Sequence, residues 1–384
     1  MAQKKQYGIG LLGCGFIGKV HAYGHHVMPY YYKDLPWRAR FVGVCTSRAA
    51  TAEKAKDDLG FEFCTTDAAR VIESPDVDII HVCTPNSLHR AELLAALSAG
   101  KHVYCDKPVT STWAEAKDVL AALKDYGGTH QMTFHNRFFT ATLRAKQLAA
   151  EGFLGDVTCF RAQYLHAGSV DPDKELSWKL DAAAGGGVIN DMGTHAMDLM
   201  QHLIGRFDEV FCVTRILHAD RPSRQDRAVR VPVEAEDHAI MTVRNDNGLV
   251  GTIEATKIAT GVQDELRFEI HGTRGAMAFN LMDPNWLQVY EADRPGEPIG
   301  GRRGWTKVEC VQNYPSPGGK WPAAKGSIGW LRGHVACLYN FMDAVHHGRQ
   351  ADPGLEVGAQ VQRFVEAARL SEKQGRFVRV SSVP

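Results

Sequence analysis

Hydrophobic and polar positions follow two regimes along the chain. Up to about residue 134, short apolar runs alternate with amphipathic stretches of helical length. Tyr7–Leu12, Arg40–Cys45, Asp78–Cys83, Lys101–Cys105 and His130–Phe134 read as strands. Ile17–Val27, Ala49–Leu59, Ser87–Ala99 and Thr112–Tyr126 read as the helices between them. Strands regularly separated by helices imply βα units and a parallel, doubly wound sheet. Pro29–Trp37 reads as an insertion that delays the second strand.

Beyond residue 135 the texture changes. A helix over Thr140–Glu151 is followed by Val157–Tyr164, Glu209–Ile216, Ala239–Arg244, Gly248–Ala255, Leu266–His271, Ala276–Asn280 and Leu287–Ala292, all strand-like. Asp246-Asn247-Gly248 carries the signature of a hairpin turn, and Gly272-Thr273-Arg274-Gly275 joins another pair. Arg294–Ser327, rich in Gly, Pro and Arg, reads as a long functional loop. Helices over 329–346 and 356–374 close the chain. The expected fold is an α/β Rossmann domain over residues 1–134. An α+β domain with a large, mostly antiparallel open sheet follows over 135–384.

Charge narrows the function. In 384 residues, 44 basic side chains meet 44 acidic ones. That balance lacks the footprint of a general nucleic-acid binder and of a protein held on anionic lipid. No apolar run has the length of a membrane helix. Nine cysteines, none in C-x-x-C spacing, read as reduced thiols in a cytoplasmic enzyme. Lys4 and Lys5 ahead of the apolar run Gly8–Gly18 imitate a secretion signal, but the glycines in that run stand in a different and specific order.

That order is Gly13-Cys14-Gly15-Phe16-Ile17-Gly18, a G-x-G-x-x-G placed between a strand and a helix. Gly13 permits the tight turn, Gly15 lets backbone approach a pyrophosphate, and Gly18 lets helix and strand pack closely. The phosphates then rest on the amides of the helix start at Phe16 and Ile17. An acid is expected at the end of the second strand to hold a ribose 2′-hydroxyl. The sequence there is Thr46-Ser47-Arg48, a hydroxyl pair and a cation suited to a 2′-phosphate. The cofactor is therefore NAD or NADP, tipping toward NADP.

Three more segments carry chemistry. Thr84-Pro85-Asn86-Ser87-Leu88-His89 and Asp106-Lys107-Pro108 each follow a strand of the first sheet, at the ends where open α/β sheets bind ligands. Gly185-Gly186-Gly187 leads into Asp191 and His195, whose i,i+4 spacing places them on one helix face.

With these segments in view the chain resembles the Gfo/Idh/MocA oxidoreductases, the family of glucose–fructose oxidoreductase and inositol dehydrogenase. The likeness rests on the glycine fingerprint, Thr84-Pro85-Asn86 with His89, and Asp106-Lys107-Pro108 where the family usually has Glu-Lys-Pro. It rests also on Asn136-Arg137 and the glycine run before Asp191 and His195. Ser177-Trp178-Lys179, Phe268–Thr273, Trp321-Pro322 and Gly329-Trp330 are similar to the branch of levoglucosan dehydrogenase and glycoside 3-dehydrogenases.

The resemblance implies reversible hydride transfer between a ring carbinol and nicotinamide. It implies His195 as base, Lys107 as stabiliser of the alkoxide, and Asp191 on a substrate hydroxyl or on His195. A histidine suits the first task, its ordinary pKa being about 6.5. A cis bond at Lys107-Pro108 would aim the lysine; cis peptides are nearly confined to proline. Gly13, Gly15, Phe16, Ile17, Gly18, Thr46, Ser47, Arg48, Thr84, Pro85, Asn86, His89, Asp106, Lys107 and Asn136 are expected at the cofactor. Arg137, Tyr164, His166, Trp178, Trp321 and Trp330, with His334, are expected around the sugar or else in the core or an oligomer contact. No third ligand motif joins Asp191 and His195, so no metal is expected.

The implied substrate is a sugar, glycoside or anhydrosugar, with an inositol as the alternative. A further alternative is a resident-cofactor glycosidase or sugar–sugar oxidoreductase; a catalytically dead dinucleotide sensor ranks last. The open sheet must be covered, and the family implies a homodimer or homotetramer.

Overall fold

A computed structural model describes residues 4–311, 314–318 and 326–384. The chain forms two compact units. The first runs to His135 and includes, from far along the chain, Leu331–Gln362. The second begins at Asn136 and includes Trp330 and Arg363–Pro384.

The first unit is built on β1 (Lys5–Leu12), β2 (Trp37–Cys45), β3 (Phe63–Thr65), β4 (Ile79–Val82), β5 (His102–Cys105) and β6 (His130–Met132). They form one parallel sheet in the order β3-β2-β1-β4-β5-β6. This is the doubly wound dinucleotide order, with its ligand crevice where the strand order reverses between β1 and β4. Between the strands lie α1 (Phe16–Tyr31), α2 (Ala49–Leu59), α3 (Ala68–Ile72), α4 (Asn86–Ser98) and α5 (Trp113–Ala122). Each has a local cause. Gly60, at φ 78°, ends α2 in the left-handed conformation. Thr112 and Glu115 start α5 with a reciprocal capping box.

Two expectations are corrected here. Pro29 opens no insertion, because α1 runs through it to Tyr31. Proline breaks a helix by losing one N–H bond and crowding the preceding turn, and in the last turn little helix remains to lose. The helix expected to reach Tyr126 gives way to a 3₁₀ turn over Leu123–Asp125.

The second unit contains α6 (Thr140–Ala150), β7 (Val157–Leu165), α7 (Thr194–Ile204), β8 (Glu209–Arg215), β9 (Asp220–Pro222), β10 (Arg230–Pro232), β11 (His238–Arg244), β12 (Val250–Thr256), β13 (Glu265–Gly272), β14 (Gly275–Asn280), β15 (Trp286–Glu291) and β16 (Thr306–Glu309). Late in the chain come α8 (Trp330–His346), which from Leu331 on belongs to the first unit, α9 (Leu355–Gln374), which passes from the first unit to the second after Gln362, and β17 (Val378–Arg379). Nine strands form a sheet in the order β16-β15-β14-β13-β7-β12-β11-β8-β17. Among the described residues, only β7 and β12 of this sheet pair in parallel. The stretch expected as one long loop thus yields the edge strand β16, paired with β15. Alternation decides the sheet's faces. Phe160, Ala162, Met241, Ile253, Ala255, Phe268 and Ile270 are buried on one face. Val213, Ile240 and Val250 stand exposed on the other, among Arg161, Arg267 and Glu269.

Candidate active site

In the first unit the glycine loop behaves as its spacing demands. Gly13 takes φ 84°, and its N–H donates to Cys45 O at 2.9 Å. A side chain there would meet Cys83 O at 2.5 Å. At Gly18 a Cβ would lie 2.2 Å from Gly13 O, so helix and loop touch through backbone. Gly15 differs, for a Cβ there meets nothing within 4 Å. Open space beside the loop, with no side chain capping the start of α1, is the cradle a pyrophosphate requires.

At the end of β2 the expected phosphate grip is partly spent. Thr46 Oγ1 donates to Arg48 O at 2.9 Å and lies 2.6 Å from Thr51 Oγ1. It thereby builds the entry to α2, whose N-cap is Arg48. Ser47 and Arg48 are exposed.

The ends of β4 and β5 are tied together. His89 is buried, its Nδ1 2.8 Å from Pro108 O and its Nε2 3.0 Å from Thr84 O. Both nitrogens of this expected cofactor ligand therefore face protein carbonyls. Asp106 N–H donates to Val82 O, Asn86 is buried at the start of α4, and the Lys107–Pro108 bond is cis. Thr84 Oγ1 donates to Glu92 at 2.5 Å. Burial drives the Glu92 carboxyl up to about 7, against the lowering effect of that bond. Two buried rings form a pair in the same unit. His135 stacks on His334 at 3.7 Å and 17°. Burial first, then His135, His21 and Lys107, hold His334 well below the ordinary histidine range.

In the second unit the glycine run folds against two segments. Gly186 and Gly187 donate to Asp181 O and Lys179 O. A side chain at Gly187, φ 106°, would strike the Glu236 carboxylate. That carboxylate accepts from Ile189 N–H at 3.0 Å. The chain then makes a π-helical turn over Ile189–Gly193 before α7, the Thr194 N–H reaching back five residues to Ile189 O. Such turns interrupt helices chiefly at functional sites. Asp191 lies in this turn and His195 in the first turn of α7.

Around them the sheet end contributes the rest. His195 is buried, its ring 5.7 Å from that of Tyr164. Tyr164 stays a neutral phenol: burial first, then Asp264 and Asp191, push it well above its ordinary value. His166 Nε2 lies 2.8 Å from Asp264 Oδ1. Lys179 and Lys257 both reach Asp191 at 3.1 Å. Lys257 stands 66 residues from Asp191 in the sequence, with no motif around it. Trp178 is half-buried, with Lys179 Nζ 5.8 Å from its ring. The loop before it is anchored by Arg221, fully buried, whose guanidinium donates to the Ser169, Asp171 and Lys174 carbonyls.

The remaining expected substrate residues, and Asn136, expected at the cofactor, are placed differently. Arg137, expected on the sugar, is buried with Nε donating to Asp198 at 2.8 Å and Nη2 to its other oxygen. Asn136 is buried in the turn before α6, and its carbonyl accepts from Thr142. Trp330 begins α8. Trp321 lies outside the described residues. Among those residues no group of three His, Cys, Asp or Glu is placed to hold a metal. Nor is any helix long and apolar enough to cross a membrane.

Comparison with known proteins decides the lineage. Residues 7–134 match the model of an oxidoreductase family with an NAD-binding Rossmann fold. Residues 142–278 match the GFO/IDH/MocA C-terminal domain. Levoglucosan dehydrogenase of Pseudarthrobacter phenanthrenivorans is 32% identical over 98% of this chain and 98% of its own. The chain belongs to the Gfo/Idh/MocA oxidoreductase family. The solved complex of levoglucosan dehydrogenase with NADH and levoglucosan matches with a TM-score of 0.91, covering 99% of this chain and 100% of that one. A 1,5-anhydro-D-fructose reductase of Ensifer adhaerens is 31% identical over 62% of this chain and 67% of its own. This Gfo/Idh/MocA chain is thus an NAD(P)-dependent oxidoreductase, its first unit matching a family with an NAD-binding Rossmann fold.

Proposed function

We propose that the protein oxidises a ring hydroxyl of a sugar, glycoside or anhydrosugar, with NAD as acceptor. The observation that carries this reading is the buried group of His195, Tyr164 and Asp191 on the segment that matches the family's C-terminal domain. Whole-length similarity to an anhydrosugar dehydrogenase supports the substrate class. An inositol is the alternative ring.

The bound nicotinamide supplies the hydride acceptor. The chain's own residues handle the proton and the charge. His195 takes the hydroxyl proton, the Lys107 ammonium stabilises the developing alkoxide, and Asp191 accepts a hydrogen bond from a substrate hydroxyl or from His195. The carbinol loses a hydride and a proton and leaves as a ketone. Gly13, Gly15 and Gly18, with the amides of Phe16 and Ile17, hold the pyrophosphate. Asp106, Thr84, Pro85 and Asn86 shape the nicotinamide side, with His89 bracing their loops.

NAD rather than NADP is favoured because the Thr46 hydroxyl is already engaged by Arg48 and Thr51, and because the family model and the neighbour's bound cofactor are of the NAD type. The thiol state of the cysteines suits a cytoplasmic setting.

Formation of reduced cofactor from NAD and NADP, over levoglucosan, glucosides, free aldoses and inositols, tests the reading. One sugar class turns over, with NAD. His195→Ala and Lys107→Ala each lower kcat by about 10²- to 10⁴-fold while dinucleotide still binds. Unchanged turnover in either variant removes that residue from the mechanism.

A further inference from the structure

The Asp191 carboxylate is largely buried, its side chain 14% exposed. Two ammonium groups meet it, and they are unlike. Lys179 Nζ lies 3.1 Å from both oxygens, but its side chain is 48% exposed. An ion pair in solvent contributes little. Lys257 Nζ lies 3.1 Å from Oδ2, and its side chain is 9% exposed. A buried ammonium is tolerated only where a partner compensates it, and that partner in turn depends on it.

The Lys257 backbone is fixed from both sides. It directly follows β12, its N–H donates to Asp237 O at 2.8 Å, and its carbonyl accepts from Ser169 N–H at 2.8 Å. A rigid sheet end thus delivers one cation to one oxygen of a carboxylate that sits four residues before His195. From β7, the buried Tyr164 phenol also feels Asp191. Asp264, whose carboxylate lies 2.8 Å from His166 Nε2, acts on the same phenol.

We propose that Lys257 is a positioning residue of the hydride-transfer site. It fixes the orientation of Asp191 and keeps it a carboxylate, so that Asp191 accepts a hydrogen bond across the working pH range. The inference rests on the reading of Asp191 as an active-site group. A purely structural pair would stabilise the unit and leave the pH profile alone.

The test compares Lys257→Met, Lys257→Arg, Asp191→Asn and the double variant Lys257→Met with Asp191→Asn. Kinetics use NAD and the sugar that turns over in the panel. Protein labelled in its aspartate carboxyl carbons is titrated by NMR in parallel, the Asp191 signal being the one lost in Asp191→Asn. Thermal melting and dinucleotide binding establish folding.

Lys257→Met is expected to lower kcat about 100-fold. It should move the acid limb of the kcat profile and the Asp191 titration to higher pH. Lys257→Arg restores most of both. The double variant loses no more than Asp191→Asn alone, because Lys257 acts through that carboxylate. A Lys257→Met enzyme with unshifted kcat limb and unshifted Asp191 titration overturns the proposal, as does a double variant whose losses multiply. If the Met variant does not fold, Lys257→Gln serves in its place, since it keeps hydrogen-bond donors and drops the charge. Should Asp191→Asn keep full kcat, the reading of the site itself fails. Loss in Asp191→Asn with none in Lys257→Met or Lys257→Gln fails this inference alone.

Discussion

His81 joins two other histidines at once. Its Nδ1 lies 3.1 Å from His21 Nδ1 and its Nε2 3.0 Å from His25 Nε2, all three rings buried in the first unit. Cys83 Sγ adds a contact to His21 at 3.1 Å. Each of these bonds needs one donor and one acceptor nitrogen, so two neighbouring rings cannot both be charged and keep their bond. Burial first, then neighbouring imidazoles, lower His21 and His25 to about 3. Both folded values lie below the unfolded value near 6.5. Their contribution to stability is therefore complete above pH 6.5 and shrinks as pH falls toward 3. Chemical denaturation between pH 7 and 4 should show stability falling by about 1.4 kcal/mol per pH unit for each such histidine. A flat profile would mean that these rings charge without cost. The sequence displays the pair His25-His26. It offered no sign that His25 and His21 turn inward onto a strand 56 residues later, because only the βαβ crossover brings β4 beneath α1.

Among elements, the glycine loop was the most legible part of the site, since all its members are consecutive and each glycine has a separate steric duty. Those duties separate by experiment. Gly15→Ala adds a methyl to open space, so the melting temperature should hold while NAD binding weakens by at least tenfold. Gly18→Ala forces a methyl against Gly13 O, so both should fall. Equal melting losses in the two variants would contradict the packing described for α1. The turn bearing Asp191 was less legible. Spacing put Asp191 and His195 on one helix face, but a π-helical turn has no signal in residue pattern. It follows here from tertiary bonds, Glu236 on Ile189 and the glycine run on Lys179 and Asp181. The short hairpin of β9 and β10 and the edge strand β16 escaped notice for a related reason. Short strands at a sheet margin owe their form to pairing rather than to periodicity.

At the scale of the molecule, both sheets were legible in outline because buried strands need apolar runs and half-buried strands need alternation. The exposed face of the nine-stranded sheet keeps Val213, Ile240 and Val250, each about half-exposed. We propose that a second copy of this chain covers it. Ile240→Asp combined with Val213→Asp should shift the sedimentation coefficient toward a monomer, and an unchanged coefficient would place the contact elsewhere.

Arg221 supplies a last consequence. Its guanidinium is held by main-chain carbonyls rather than by a carboxylate, so no protonation below neutrality neutralises its partners. Acid that dismantles the imidazole chain of the first unit leaves the Ser169–Lys174 clasp in the second untouched. Mild acidification is thus a selective solvent for this enzyme: at pH 5 hydrogen-exchange protection, corrected for the intrinsic rate, should fall first in β4 and α1, while amides under the clasp keep their neutral-pH protection.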